Sequence, residues 1–313
     1  MTYRALYTGR GECYFGPHRE AENPLYSILG VPLDSTSSYR TGQRFAPCEV
    51  RRASYNIEWN SMLVEGAYLY DVPIEDMGDL AVVHGDPHTT LDRLSSLIQE
   101  VSSEGKIPVV IGGEHTITYG VVKGLVDSTG RRPCIVVFDA HFDLRREYLG
   151  ASTSHATVMR RIYDRSMAEL LYYVGVRAWE REELDYARGR KGIYYATSLS
   201  VKRIGPANVA AELRGTLSSC DSIYVSIDMD VFDPAYAPGV ANPEALGINP
   251  VEAATILYEL ASDNRLAGID LVEVAPPYDP SGATSILASR LLAETIIINN
   301  LVRRGESIPR ILY

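Results

Sequence analysis

The 313-residue chain is poor in several kinds of residue, and each shortage excludes a class of protein. Positive charge is short: 30 Lys and Arg stand against 40 Asp and Glu, and the net charge of −10 argues against nucleic-acid and anionic-membrane partners. Cysteine is rare, with 4 residues that lie far apart and lack paired metal-ligand spacing. We therefore expect reduced, mostly structural thiols at Cys13, Cys48, Cys134 and Cys220.

Targeting and membrane-spanning segments are also missing from the pattern. Residues 1–12 have no apolar core of a signal peptide, and no later run is expected to reach transmembrane length. These absences predict a cytoplasmic protein. No repeat, low-complexity tract or break in composition marks a linker, so residues 1–313 are predicted to form a single domain.

What is present is an alternation of apolar strand patterns with helical patterns. Strands are predicted at 26–31, 107–111, 133–138, 170–175, 192–196, 222–228 and 267–273. Helices are predicted at 87–104, 116–127, 155–165, 206–217, 250–262 and 284–303, with Pro250 in a first turn. Such alternation is typical of an α/β protein, here a three-layer α/β/α fold with a mainly parallel central sheet.

Potential metal ligands follow one of these apolar strands directly. Asp139, His141 and Asp143 come straight after the run 134–138 and are spaced by two residues. In extended backbone, this spacing sends all three side chains to one face. A helix cap or turn would account for one aspartate, but not for two that flank a histidine.

Three other strand ends carry similar groups. Asp228 and Asp230 follow the run 222–227, His115 follows the strand at 107–111, and Glu273 ends the last predicted strand. Parallel strands bring their carboxyl ends to one edge of the sheet, so we expect these side chains to converge.

A cluster of this composition predicts metal ions. Four carboxylates packed together without a cation would repel one another and raise their pKa values. Oxygen-rich ligands with two imidazoles and no thiolate suit Mn²⁺ or a similar divalent ion in a two-metal site. Two such ions and four aspartates nearly cancel in charge, and Glu273 adds a negative charge, so a cationic substrate is favoured.

These motifs resemble those of the ureohydrolases, the arginase and agmatinase family. The resemblance rests on Gly-Gly-Glu-His-Thr at 112–116, Asp-Ala-His-Phe-Asp at 139–143 and the segment 226–239. Segments 38–47 and 270–279 are similar to the amino-terminal loop and carboxy-terminal acidic motif of agmatinases. The resemblance implies an arginase-like fold and a homo-oligomer, either a trimer or a hexamer.

The resemblance also implies a ligand set for two Mn²⁺ per subunit. One ion would be held by His115, Asp139, Asp143 and Asp228. The other would be held by Asp139, His141, Asp228 and Asp230, so that Asp139 and Asp228 bridge.

Catalytic roles follow from the same resemblance. Glu273 would bind the substrate guanidinium, and His155 takes the position of a histidine that helps to move protons. Asp143 would accept a proton from the attacking water and pass it to the leaving amine. The implied reaction is the hydrolysis of agmatine to putrescine and urea, a step of polyamine biosynthesis.

Two alternatives to agmatine hydrolysis remain open. One is the same chemistry on a guanidino acid, such as guanidinobutyrate, or on arginine; the other is a non-catalytic relative that binds metal or a guanidine compound. The loop 144–154 lacks the Asn and Ser pattern with which arginases recognise arginine, which favours agmatine. Arg145 and Arg146 would attract a carboxylate if they faced the pocket, although a solvated pair near Glu147 is the expectation.

The chain departs from the family pattern at three places. Glu114 stands where the family usually has Asp, and Ala156 replaces the Gly that usually follows the His155 position. The loop 239–244 also lacks the usual glycines and threonines. None of these changes removes a metal ligand.

Other histidines and glycines are given structural interpretations. His84 and His88 are expected at a turn and a helix start, and His18 in an exposed loop. The pair at 112–113 lacks the residues of a phosphate-binding loop and is expected to allow close backbone approach beside the cluster.

Overall fold

A nine-stranded sheet forms the centre of the fold. The computed structural model describes residues 2–9, 13–17, 21–306 and 308. The strands are β1 Thr8–Gly9, β2 Tyr26–Val31, β3 Ile74–Leu80, β4 Ile107–Gly112, β5 Cys134–Phe138, β6 Leu170–Val176, β7 Ile193–Thr197, β8 Ile223–Asp228 and β9 Leu266–Val272. Their order is β1-β3-β2-β4-β9-β8-β5-β6-β7. Only the pairing of β1 with β3 is antiparallel among the described strands, which confirms a mainly parallel sheet.

Helices cover both faces of the sheet. They are α1 Tyr3–Tyr7, α2 Ala46–Ser54, α3 Pro87–Ser103, α4 Thr118–Thr129, α5 Val158–Asp164, α6 Arg181–Arg188, α7 Ser198–Ile204, α8 Pro206–Thr216, α9 Pro250–Ala261 and α10 Ala283–Arg303. Val109 and Ile111 of β4 pack in one apolar cluster with α2, α8, α9 and α10. Val110 points the opposite way and packs with α3, α4 and α5. The predicted three-layer α/β/α architecture is therefore confirmed.

The start of α3 explains one pair of histidines. The Asp86 side chain accepts a hydrogen bond from the backbone N–H of Thr89 (3.0 Å) and caps the helix. His84 lies in the preceding turn and His88 in the first turn of the helix, as predicted. His18, the other histidine assigned to a loop, lies outside the described residues.

Several elements were not predicted, and β3 shows why. Its sequence, Ile-Glu-Asp-Met-Gly-Asp-Leu, is rich in the acidic residues and glycine that strands usually avoid. Two of those carboxylates, Asp76 and Asp79, bind the buried guanidinium of Arg51 on α2. A partner from another element thus stabilises a strand that local propensity disfavours. The unpredicted elements are β1, β3, α1, α2, α6 and α7.

The prediction of reduced cysteines is wrong. Cys13 is bonded to Cys48, and Cys134 to Cys220, whose Cα atoms are 6.0 Å apart. Sequence separations of 35 and 86 residues carry no local signal of pairing. Tertiary structure creates the second pair, since Cys134 begins β5 and Cys220 precedes β8, which is adjacent in the sheet. Cys134 is fully buried, as expected for a core residue.

The expectation that no run reaches transmembrane length is also wrong. Helix α10 spans 21 residues, and its most apolar window has a mean hydropathy of 1.3. However, 72% of that window is buried inside the protein, where α10 packs on α2 and α9. Core packing accounts for the apolar sequence of this helix.

Candidate active site

Four neighbouring strands end at one cluster of acidic and imidazole side chains. The strands are β4, β9, β8 and β5, in that order across the sheet. His115 follows β4, Glu273 follows β9, Asp228 ends β8, and Asp139 follows β5. The structure thus brings side chains separated by up to 158 residues into contact, as between Glu273 and the backbone of His115.

The backbone beyond these strands is not extended, contrary to expectation. Strand β5 ends at Phe138, and Asp143 has a left-handed backbone with φ of 52°. Glu273 is also left-handed, with φ of 66°. Asp230 lies in a tight 3-10 turn, Met229–Val231. Left-handed backbone is uncommon outside glycine and tends to occur at functional sites.

The first group of ligands surrounds one nitrogen of His115. Its Nδ1 lies 2.9 Å from Asp143 Oδ2, 3.2 Å from Asp139 Oδ2 and 3.3 Å from Asp228 Oδ2. All of these side chains are buried, and neither His115 Nδ1 nor Asp139 Oδ2 has a hydrogen-bond partner. Buried polar atoms without partners are costly, so this arrangement fits a bound cation.

A hydrogen-bond chain fixes the orientation of the His115 ring. Ser226 Oγ donates its single proton to Asp270 Oδ1 (2.6 Å) and lies 3.0 Å from His115 Nε2. Nε2 must therefore be the donor, which directs Nδ1 towards the carboxylates. Thr118 and Tyr224 donate to the other oxygen of Asp270. This support was not predicted from the sequence, although an aspartate within an apolar strand indicates a buried partner.

The second group shares Asp139 with the first. His141 Nδ1 lies 3.0 Å from Asp230 Oδ2 and 3.6 Å from Asp139 Oδ1. Asp139 therefore turns one oxygen towards each histidine. The ligand atoms of His115, Asp139 and Asp228, and those of Asp139, His141 and Asp230, are close enough in each group to hold an ion.

Burial and mutual repulsion disfavour charge on several of these carboxylates. Burial and the charge of Asp139 raise the pKa of Asp143 to about 7. Burial, Asp230 and Asp139 raise the pKa of Asp228 well above its usual range. Burial raises the pKa of Glu273 to about 8. The cluster therefore attracts positive charge, whether protons or metal ions.

At the centre of the cluster, by contrast, the charged forms of the side chains are favoured. Burial lowers the pKa of His115, but the carboxylates of Asp139, Asp143 and Asp228 close to its Nδ1 outweigh it and hold the value well above its usual range. The pKa of His141 is likewise raised against burial, by Asp230 and Asp139. Burial raises the pKa of Asp139, yet the two imidazoles bring it below its usual range.

His155 lies at the wall of the site, in the 3-10 turn His155–Thr157. Its Nδ1 is 3.3 Å from Thr36 Oγ1, and its Nε2 is 3.4 Å from Ser38 Oγ. Burial and the nearby histidines lower its pKa to about 4, so the ring is neutral near pH 7. Ala156 adopts no left-handed conformation, so its replacement of glycine leaves the turn intact.

Glu273 is buried and held by two donors. Its Oε1 accepts the backbone N–H of His115 (2.6 Å), and its Oε2 accepts a hydrogen bond from Gln43 Nε2 (3.1 Å). Gln43 is fully buried and was not anticipated from the sequence. The segment that carries it, between β2 and α2, thus reaches the acidic residue at the end of β9.

These residues line a cleft of about 790 Å³. The inner part contains the clusters, His155 and Glu273, and the outer part includes Tyr39, Tyr148, Trp179, Glu180 and Glu244. Glu244 Oε1 lies 3.9 Å from His141 Nε2, so the loop that departs from the family pattern contributes to this wall.

The two consecutive arginines have different environments. Arg146 is exposed, as expected for a solvated residue. Arg145 lines the cleft, where its guanidinium lies 4.9 Å from the centre of the Tyr148 ring. It is also 3.8 Å from Glu180 and 3.7 Å from Glu183. The expectation of an exposed pair therefore fails for Arg145, whose charge is balanced by protein carboxylates.

Arg177, just after β6, was not anticipated as a site residue. Its guanidinium donates to six backbone oxygens, those of Gly175, Asp230, Val231, Phe232, Glu244 and Ala245. It therefore ties the turn that carries Asp230 to the loop that carries Glu244. The position of this arginine directly after an apolar strand could have indicated that it belongs to the site.

The predicted close approach at Gly112–Gly113 is present. A Cβ on Gly113 would lie 1.8 Å from the carbonyl oxygen of Leu33. The Gly113 N–H donates to Val31 O (2.7 Å), and the Glu114 N–H donates to Leu33 O (2.9 Å). Only glycine fits here, so the end of β4 lies directly against the segment after β2.

Comparisons with known proteins show the family of the chain. The arginase family model matches residues 25–298. The agmatinase of Halalkalibacterium halodurans is 36% identical over 300 residues, which cover 95% of this chain and 99% of that protein. The N(1)-aminopropylagmatine ureohydrolase of Thermococcus kodakarensis is 36% identical over 285 residues, covering 90% and 92%.

A solved structure shows the same relationship. The agmatine ureohydrolase of Thermoplasma volcanium superposes with a TM-score of 0.78 at 32% identity, over 92% of this chain and 94% of that one. Both the sequence and the architecture are therefore shared with ureohydrolases along most of the chain. The protein belongs to the arginase family and is a ureohydrolase.

Proposed function

We propose that the protein hydrolyses the guanidinium group of agmatine, or of a closely related guanidine with a cationic tail, and releases urea and an amine. Agmatine would yield putrescine. The choice of substrate rests on the charge of the outer cleft. There, protein groups contact Arg145 and Arg177, while the carboxylates of Glu180 and Glu244 face solvent.

Two Mn²⁺ per subunit would be held by the clustered ligands. We propose that the first binds His115, Asp139, Asp143 and Asp228, and the second Asp139, His141, Asp228 and Asp230. The two orphaned atoms between His115 and Asp139 support this assignment. Divalent ions in such a site lower the pKa of water and so supply a nucleophile near neutral pH.

The protein's own side chains would bind the substrate and move protons. Glu273 would orient the planar guanidinium through charge-assisted hydrogen bonds. Asp143 would take a proton from the attacking water and give it to the leaving amine, and His155 would exchange protons with solvent at the cleft.

The outer cleft favours an amine tail over a carboxylate tail. Arg177 is bound by six carbonyl oxygens, and Arg145 lies between Glu180 and Glu183. The donors of Arg177 are therefore occupied, and the single charge of Arg145, whose side chain is 33% exposed, is outweighed by the two carboxylates beside it. The side chains of Glu180 and Glu244 are 66% and 46% exposed, and their charges would attract an ammonium group.

A urea-release screen of the Mn²⁺-loaded enzyme tests the proposal. The substrates are agmatine, N(1)-aminopropylagmatine, guanidinobutyrate and arginine. We expect kcat/KM to be at least about tenfold higher for the two amines, equivalent to about 1.4 kcal/mol. Preference for guanidinobutyrate or arginine would overturn the substrate assignment, and no urea from any of the four would overturn the function.

Three further proposals concern the setting of the enzyme. We propose that residues 1–313 act as one ureohydrolase domain, that it assembles as a homotrimer or homohexamer, and that it works in the cytoplasm. Disulfides are rare in the cytoplasm except in hyperthermophiles, so the two cystine bridges argue against a cytoplasmic location outside such organisms. Thiol titration of denatured, freshly purified protein tests whether the bridges are present. The mass of the native protein, measured by light scattering, tests the assembly.

A further inference from the structure

The carboxylate of Glu114 is bound entirely to the segment that follows β2. It is fully buried. Its Oε2 accepts the backbone N–H groups of Ser35 (2.9 Å) and Thr36 (2.6 Å), and its Oε1 accepts the Thr36 hydroxyl (3.0 Å). Since Gly113 brings the backbone of β4 against Leu33, the side chain of Glu114 reaches this segment without distortion.

Thr36 connects Glu114 to His155. Its Oγ1 accepts the backbone N–H of His155 (3.1 Å) and lies 3.3 Å from His155 Nδ1. A hydroxyl has one proton to donate and two lone pairs with which to accept. A carboxylate is the strongest acceptor within reach, so the Thr36 proton is directed to Glu114.

That direction determines which nitrogen of His155 carries a proton. With the Thr36 proton committed to Glu114, Oγ1 can only accept from Nδ1, and Nδ1 is the protonated nitrogen. Thr116 Oγ1 is 3.2 Å from Thr36 Oγ1, but with the Thr36 proton committed to Glu114 it could only donate to Thr36, so it does not change the direction of the contact between Thr36 and His155. Nε2 then carries the lone pair, beside Ser38 Oγ at the cleft wall.

We propose that Glu114 is a positioning residue, which acts through the Thr36 hydroxyl to hold His155 in the tautomer whose Nε2 accepts protons in the cleft. The inference rests on the proposed function, since it concerns a step of guanidine hydrolysis. It assigns a role to the residue at which this chain departs from the family pattern. Among the described residues, none of the proposed metal ligands donates or accepts in this hydrogen-bond chain.

Kinetics of paired variants test the proposal. In Glu114→Gln, the amide can donate to Thr36, which turns the Thr36 proton towards His155 Nδ1 and reverses the tautomer. We expect kcat for agmatine to fall about tenfold or more, with KM within about twofold of wild type, because general acid–base catalysis is worth about 10²- to 10⁴-fold. Thr36→Val should behave alike, and Thr36→Ser should restore most of kcat.

A double-mutant design separates positioning from a merely structural role. In a His155→Asn background, Glu114→Gln should lower kcat by less than about twofold, since the group it positions is already gone. Metal content, measured by elemental analysis, should match wild type in every variant. Glu75→Gln is the matched control: Glu75, near the start of β3, accepts hydrogen bonds from Ser27, Lys106 and Arg4 outside the site, and its replacement should leave kcat unchanged.

The outcomes are distinct. Three results would overturn the positioning role while the wild-type enzyme still releases urea. The first is an unchanged kcat in Glu114→Gln, and the second is a decrease in kcat that persists in full in the His155→Asn background. The third is a decrease in kcat that missing metal explains. Absence of urea release by the wild-type enzyme would instead overturn the proposed function, and this inference with it.

Discussion

The buried charge around Arg51 and the ligand cluster around His115 differ in whether protein groups neutralise them. Arg51 binds Asp76 through two nitrogens, both at 2.8 Å, and also binds Asp79 and the carbonyl oxygen of Gly78. The ligand cluster has the opposite character, because His115 Nδ1 faces three carboxylates and has no hydrogen-bond partner. Buried charge alone therefore does not indicate function; buried charge left uncompensated does.

The pKa shifts separate the clusters in the same way. Burial lowers the pKa of Arg51, but Asp76 and Asp79 raise it by more than burial lowers it. The charged form of Arg51 is therefore favoured in its buried position. In the ligand cluster, burial and neighbouring carboxylates raise the pKa of Asp228 and disfavour its charge. The first cluster is complete without a ligand, and the second requires one.

The largest effect should come from removing a carboxylate of the ligand cluster. Asp228→Asn keeps the side-chain oxygen that accepts the Asp230 N–H (2.8 Å) but removes a ligand charge. We expect both metals to be lost and urea release to fall by about 1000-fold or more, because metal ions supply several kcal/mol of transition-state stabilisation. Elemental analysis and urea assays measure both changes.

The same variant should not destabilise the metal-free protein. Asp228 is disfavoured in its charged form, so the neutral amide should leave the unfolding temperature of the apo-protein equal or higher. Asp233→Asn is the control, since Asp233 caps the turn at Ala235 outside the cluster and its loss should spare the metals. Two ions retained by Asp228→Asn would refute the ligand assignment.

Breaking the compensated cluster should damage stability rather than chemistry. Arg51→Met leaves the buried carboxylate of Asp76 and the partly exposed carboxylate of Asp79 without a cation, and removal of one partner of a buried pair costs about 3–5 kcal/mol. Denaturant unfolding measures the loss, and urea release per folded enzyme should be unchanged. Arg52→Met, which removes only the exposed pair with Glu49, should cost less than about 1 kcal/mol. Equal costs for the two variants would remove the distinction between the clusters.

The uncompensated cluster should also link metal binding to pH. Carboxylates of the ligand cluster with raised pKa, such as Asp143 (about 7) and Asp228, hold protons that must leave when metal binds. Mn²⁺ affinity should therefore rise between pH 6 and about pH 8. Calorimetry in two buffers of different ionisation enthalpy should detect the released protons. Metal affinity that is independent of pH across this range would contradict the assigned shifts.

The stability of the metal-free protein should change in the opposite direction. The native state binds more protons than the unfolded state between the ordinary carboxylate pKa and the raised values, so unfolding free energy falls as pH rises through that range. The raised pKa values of His115 and His141 act in the same sense, since their stabilisation is lost as pH rises. Thermal unfolding of apo-protein at pH 6 and pH 8 measures the trend, and Mn²⁺ should abolish it.

Local sequence patterns correctly predicted the buried strands of the sheet and the polar residues at their ends. Continuous apolar runs such as 134–138 are typical of strands buried on both faces, and polar residues at their ends indicated the cluster. Strand β3 was missed because its acidic residues are stabilised by Arg51, which belongs to another element. Cys134 and Cys220 become neighbours only once β5 and β8 are paired.

The supports of the site were harder to predict than its ligands. Ligands recur at strand ends with fixed spacing, whereas Gln43 and Thr36 lie in an irregular segment whose path depends on tertiary contacts. Nothing in the segment's own sequence shows that it reaches both Glu273 and His155. Contacts of this kind require the folded chain, because side-chain hydrogen bonds between distant segments have no sequence period.

The smallest effect should come from the neutral donor at the edge of the cluster. Gln43 Nε2 donates to Glu273 Oε2, and this hydrogen bond lowers the pKa of a carboxylate that burial raises. In Gln43→Leu, Glu273 should be less ionised and should bind the guanidinium less well. We expect KM for agmatine to rise about fivefold at pH 7 with metal content unchanged, since one such hydrogen bond is worth about 1 kcal/mol. Steady-state kinetics measure the change.

The pH dependence of this variant gives the sharper test. Because the defect is one of ionisation, the KM difference from wild type should narrow as pH rises above about 8, where Glu273 is charged in both enzymes. Gln99→Leu, which removes an exposed glutamine of α3, should behave as wild type. A KM defect that persists at high pH would show that Gln43 fixes the position of the carboxylate rather than its charge, and Glu273 would then belong with compensated groups such as Asp76.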